Sequence, residues 1–157
     1  MASRKERPVA IVMGSKSDQT TMVECKKILN YFNIGFDEFI LSAHRTPRAT
    51  AKFAENAEAN GYQVLIAAAG MAAHLPGVVA AYTTLPVIGI PMPGSDLHGV
   101  DALYSVVQMP SGVPVAAVAI GKAGAANSAI LAAQILSLQD AELKQRLLKF
   151  KEQGCRV

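Results

Sequence analysis

Val9-Ala10-Ile11-Val12-Met13-Gly14-Ser15-Lys16-Ser17-Asp18 decides the fold class. Five apolar residues without a charge run straight into a Gly/Ser-rich turn. Beyond that turn Met22, Cys25, Ile28/Leu29 and Phe32 recur at intervals of three or four, the spacing of one helix face. A strand apolar at every position has no face for water, so it predicts a sheet covered on both sides.

The unit repeats along the chain. Further strands are predicted at Phe36–Leu41, Val64–Ala69, Val87–Ile90 and Val115–Ile120. Only Phe36–Leu41 is interrupted by charge, at Asp37 and Glu38, which marks it as an edge strand. Between the strands, Thr46-Pro47 reads as an N-cap followed by proline in the first helical turn, with Gly61 as a stop. Ala123–Ser137 reads as a small-residue helix able to pack closely. Asp140 caps a last amphipathic helix carrying Leu143, Leu147 and Phe150. Strands alternating with helices predict an α/β fold: three layers, a parallel sheet between two layers of helices, plus the C-terminal helix. With the polar second strand at an edge, the expected order is the flavodoxin-like 2-1-3-4-5. No linker, repeat or low-complexity segment breaks the pattern. One domain is therefore expected over residues 1–157, with residues 1–7 as a flexible arm holding Arg4, Lys5 and Arg7.

Composition narrows the function classes. Of 157 residues, 51% are hydrophobic and 17% charged, which is too apolar for disorder. The mean hydropathy of +0.26 suggests fully buried strands and apolar surface covered by other subunits. Net charge is +3 and the basic residues form no stripe with interleaved aromatics, so no nucleic-acid partner is expected. Two distant cysteines, no apolar signal core and no apolar run of membrane length predict a soluble cytoplasmic protein without disulfides or membrane contact.

In parallel α/β sheets ligands bind beyond the carboxyl ends of the strands. The five loops there hold all three histidines. The Gly14–Asp18 turn, opening a helix, offers backbone N–H groups and the positive end of the helix dipole to a phosphate. It carries neither a Walker A loop nor a G-x-G-x-x-G fingerprint, and Ser17 or Asp18 serving only as a helix cap would explain part of it. The next loop, Ser42-Ala43-His44-Arg45-Thr46-Pro47, joins a hydroxyl, a proton carrier and a guanidinium that can fork onto phosphate. His44 is the expected acid–base residue. His74 in the third loop is open to either a substrate-orienting or a loop-holding role. His98 reads as structural, Asn127 as a cap, and Lys122 as a cation near an anion or a helix end. No H-E-x-x-H or paired cysteines occur, so no metal site is expected.

Together the stretches VMGSKSD, SAHRTP, AAHLPG, GVDALYSVVQMP and IGKAGAANSA, spread from residue 11 to about 137, make the chain resemble the class I phosphoribosylaminoimidazole carboxylase catalytic-subunit family, the N5-carboxyaminoimidazole ribonucleotide mutases. The resemblance implies an isomerase of purine biosynthesis that moves a carboxylate from an exocyclic nitrogen to ring carbon C4. It implies no cofactor, a homo-octamer with sites near subunit boundaries, and a partner synthetase that makes the carbamate substrate with ATP. It implies that His44 is catalytic and that Ser15, Asp18 and Arg45 bind the ribonucleotide. Ser42, Ala69, Gly70, His74 and Leu75 would line the same pocket.

Three positions depart from the family's usual pattern. Gln19 stands where tryptophan is common, and Ala68 and Met71 stand where glycine is common in the third-loop motif; the Pro91–Gly99 loop is also unusual. Two other readings stay open from sequence. One is a class II carboxylase using carbon dioxide and the free amine, although Arg45 and the HLPG stretch favour class I. The other is a non-enzymatic nucleotide- or flavin-binding module, which the scarcity of aromatic residues in the loops disfavours.

Overall fold

The computed structural model describes residues 7–156, and its strands form one five-stranded parallel sheet in the order β2-β1-β3-β4-β5. The strands are β1 (Val9–Met13), β2 (Phe36–Ile40), β3 (Val64–Gly70), β4 (Val87–Met92) and β5 (Ala116–Ala117). The helices are α1 (Gln19–Tyr31), α2 (Pro47–Asn56), α3 (Leu75–Ala81), α4 (Val100–Val107), α5 (Gly121–Leu136) and α6 (Ala141–Glu152). The register pairs Val9 with Phe36 on one side of β1 and with Val64 on the other, so the three carboxyl ends lie level.

Alternation along the strands splits the core in two. Val9, Ile11 and Met13 face a cluster built with α1, α5 and α6, centred on Met22, Leu29, Phe32 and Phe150. Ala10 and Val12 face the opposite cluster with Leu75, Val79, Ala102 and Val106 of α3 and α4. Every residue of β1 is fully buried, as a strand covered on both faces must be. The small residues of α5 let it lie close to the sheet: a Cβ on Gly124 would overlap the Ala119 carbonyl oxygen. Phe32 and Phe150 meet edge to face at 5.3 Å between ring centres, fastening α6 to the end of α1.

Two expectations are corrected. The fifth strand was expected over Val115–Ile120 with both faces covered, but only Ala116–Ala117 pairs with β4, and the segment is partly exposed. It is the outer edge of the sheet, with no neighbour beyond it among the described residues. Asn127, read as a cap, lies inside α5. Gly61 does adopt a left-handed φ of 92°, five residues past the end of α2. The expected arm falls outside the described residues apart from Arg7, which pairs with Asp37.

Cys25 is buried against Ser128, and loss of water there pushes its thiol up to about 12, whereas Cys155 is exposed. A thiol reagent such as DTNB at pH 8 should therefore titrate one cysteine in the native protein and two after denaturation, because the thiolate is the reactive form. Two fast-reacting thiols in the native state would contradict this packing.

Candidate active site

The carboxyl ends of β1, β2, β3 and β4 enclose a cavity of about 470 Å³. Each wall comes from one loop, and each loop is held by its own hydrogen bonds.

The first wall is Gly14–Asp18. Ser15 caps the single 3-10 turn Lys16–Asp18: its hydroxyl accepts from the Ser17 N–H, and the Asp18 carboxylate accepts from the Ser15 N–H at 3.0 Å. This corrects in part the expectation of a turn with free N–H groups. The N–H groups of Gly14, Ser15, Ser17 and Asp18 are all bonded within the protein. What the turn leaves for an anion is the Lys16 N–H, the pair of hydroxyls on Ser15 and Ser17, 2.9 Å apart, and the start of α1. Asp18 closes the capping box that Ser15 opens, makes no side-chain cap on α1, and lines the cavity as well. It is only 8% exposed, and that burial raises its carboxyl above the ordinary value, while the Ser15 N–H and the Ser17 hydroxyl pull it back. A ligand hydroxyl donating to this half-desolvated carboxylate would return a bond that water cannot fully supply.

The second wall is a tight turn over residues 42–46. Ser42 donates its N–H to Thr46 Oγ1, and its hydroxyl accepts from the Arg45 N–H at 3.1 Å. The Thr46 and Thr50 hydroxyls both donate to the Ser42 carbonyl. Thr46 sits at the N-cap position of α2, yet its side chain serves this turn instead of capping the helix. The bonded frame presents His44 and Arg45 at its exposed tip. Among the described residues the Arg45 guanidinium has no ion-pair partner.

The third wall follows β3. Ala69 and Gly70 end the strand, and His74 occupies the N-cap position of α3, where Leu75 and Pro76 begin the helix. Leu75-Pro76-Gly77, which reads as loop punctuation, forms the first turn of this helix. Gly70 packs beside Met92 of β4, which a Cβ would meet at an ordinary contact distance of 3.4 Å. Ala69 and Leu75 are buried, so this wall is apolar.

The second and third walls meet at the histidines. His44 Nε2 lies 2.7 Å from His74 Nδ1, and the rings are near perpendicular at 80°. A contact that short holds one proton, with one ring donating and the other accepting. The outer nitrogen of each ring remains to take or give a second proton.

Nine residues singled out from sequence thus line one cavity: Ser15, Asp18, Ser42, His44, Arg45, Ala69, Gly70, His74 and Leu75. Lys122, His98 and Asn127 do not. Lys122 lies in the first turn of α5. Met71, and Met92 and Gly94 of the Pro91–Gly99 loop, come from positions that depart from the family's pattern, and they line the cavity too; Ala43 and Ala72 also line it, and their residue type gave no signal in sequence. Among the described residues no three His, Cys, Asp or Glu side chains gather as a metal site, and no helix is long and apolar enough to cross a membrane.

Comparison with known proteins agrees over nearly the whole chain. A family model described as AIR carboxylase matches residues 8–156. The N5-carboxyaminoimidazole ribonucleotide mutase of Escherichia coli (strain K12) is 60% identical over 139 residues, covering 88% of this chain and 82% of that protein. The protein of the same name from Bacillus subtilis (strain 168) is 52% identical over 144 residues, covering 92% and 89%. The crystal structure of Treponema denticola PurE superposes with a TM-score of 0.84 at 32% identity, covering 94% of this chain and 90% of that one. With its sheet order, its loop walls and its matched length, this chain belongs to the AIR carboxylase family.

Proposed function

We propose that this chain is a single-domain cytoplasmic isomerase that converts N5-carboxyaminoimidazole ribonucleotide to 4-carboxy-5-aminoimidazole ribonucleotide. Its substrate would come from an ATP-dependent synthetase. The observation that carries the reading is the His44–His74 contact beside an apolar wall, in a chain 60% identical to a named mutase.

The residues divide the work. Arg45 and the hydroxyls of Ser15 and Ser17 suit the phosphate, and the Asp18 carboxylate suits the ribose hydroxyls. His44 carries a proton to the exocyclic nitrogen. The N–C bond then breaks, leaving a neutral amine and carbon dioxide. Carbon dioxide has no charge to hold, so the Ala69 and Leu75 wall suits it better than a polar one would. The amine pushes electrons through the ring, and C4 attacks carbon dioxide to form the C–C bond. C4 then carries both hydrogen and carboxylate, and His44 takes that hydrogen as a proton, restoring the aromatic ring. One proton is given and one returned, so the net change is an isomerisation needing no outside reagent. His74, bonded to His44, fixes its ring and selects the nitrogen that faces the substrate.

The test is a pair of assays. The carbamate substrate alone should be consumed with the absorbance change of the C4-carboxylated product. Conversion of the free amine with bicarbonate, with the carbamate left untouched, would replace this reading by a carbon dioxide-dependent carboxylase. Tight flavin binding without conversion of either would point to a binding module.

The proposal includes a homo-octamer. Leu97, Val100, Tyr104 and Val107 follow a three-four-three spacing on and just before α4, and all are exposed, Tyr104 at 65%. An apolar stripe of that kind is characteristic of helix–helix contact. Light scattering should give a mass eight times that of the chain, and Tyr104→Asp should yield smaller species; a monomer for the unmodified protein would contradict it.

A further inference from the structure

Met71 holds a left-handed backbone, with φ 56°. A side chain costs about 1–2 kcal/mol in that region, and glycine occupies it freely. Its neighbour Gly70 has no left-handed φ, and a Cβ there would meet Met92 at 3.4 Å, an ordinary contact distance. The strain thus falls on a residue whose side chain lines the cavity. Non-glycine residues in such conformations gather at functional sites.

The character of the side chain says what it is suited to do. Among the described lining residues the other large apolar ones, Leu75 and Met92, are almost fully buried, and the alanines are too short to reach outward. Met71 is 64% exposed, so it stands at the rim, between the apolar wall and solvent. Methionine is unbranched and adapts its shape to what it packs against.

We propose that Met71 is a residue that controls commitment: it closes the rim over the apolar wall and keeps carbon dioxide from escaping between the two half-reactions. This rests on the mutase reading above. Carbon dioxide released from the exocyclic nitrogen either is attacked by C4 or diffuses out, leaving the free amine. An apolar side chain at the rim slows the second route and keeps water off the first.

The experiment supplies unlabelled carbamate in carbon-13 bicarbonate buffer, with carbonic anhydrase to keep carbon dioxide and bicarbonate in equilibrium. It measures label taken into the product per turnover, as a function of time from the start of reaction. Met71→Gly should raise this uptake several-fold and release more free amine, because the rim is opened. Met71→Leu, which restores apolar bulk, should stay near the unmodified protein, and Met71→Ala should fall between. The glycine variant relieves backbone strain, so its melting temperature should hold or rise, which separates the effect from misfolding. Unchanged uptake in Met71→Gly would overturn the proposal. So would equal rises for Gly and Leu, or a rise that appears only with loss of the assembled form. The unmodified chain is assayed first: if it leaves the carbamate unconverted, the mutase reading itself fails and this inference with it.

Discussion

Replacing His44 with asparagine should abolish most turnover while leaving ligand affinity and fold in place. Asparagine approximates the size of the imidazole and can still bond His74, but its amide neither gains nor gives up a proton as an acid or base at neutral pH. The chemistry needs a proton delivered to nitrogen before the N–C bond breaks and a proton removed from C4 afterwards. Losing a positioned proton carrier lowers rates by about 10²–10⁴. Because His44 is exposed at the tip of a turn held by Ser42, Thr46 and Thr50, the melting temperature should barely move. Steady-state kinetics with calorimetric titration of the product separates the two quantities. Near-native kcat in His44→Asn would remove the proton-shuttle role, and loss of binding with kcat intact would recast His44 as a contact residue. His74→Asn should show a milder defect in kcat with a changed pH profile, since His74 acts through the 2.7 Å contact.

Arg45→Ala should act mainly on binding. The guanidinium has no ion-pair partner among the described residues, and Arg45 lines the same cavity as Ser15 and Ser17. Four of the N–H groups in the first turn are engaged within the protein, so little backbone remains to take over the phosphate. Losing a charge-assisted bond costs about 1.5–3 kcal/mol, so KM should rise by roughly ten- to a hundred-fold with a smaller change in kcat. Arg45→Lys should recover part of this, since ammonium keeps the charge without the fork. Affinity for the ribonucleotide unchanged in Arg45→Ala would assign the phosphate elsewhere.

The parts of the fold legible in sequence were those that obey one physical rule throughout. β1 and β3 read as covered strands because nothing charged interrupts them, and β2 read as an edge because Asp37 and Glu38 do. β5 misled because Val115–Ile120 is as apolar as a central strand, yet it ends the sheet; apolarity reports burial by anything, including another subunit. Helices α3 and α4 were not read at all. Leu75-Pro76-Gly77 looks like loop punctuation, although proline is at home in a first turn, and Leu97, Val100, Tyr104 and Val107 turn an apolar stripe outward. The site was legible at the level of loops, because a parallel sheet brings its carboxyl ends together. The contact between His44 and His74 was not, since residues 30 apart in sequence leave no trace of their distance. Of the free N–H groups expected in the first turn only that of Lys16 is left, because Asp18 and Ser15 bond back to the turn that carries them.

The central claim is that one carboxyl group is moved within one molecule. The most direct measurement is a single turnover of carbamate labelled with carbon-13 in its carboxyl group, in unlabelled bicarbonate, read by carbon NMR of the product. The account predicts that most of the label reappears on C4 and that no ATP is needed. A product whose carboxyl carbon comes from bicarbonate from the first turnover would contradict it.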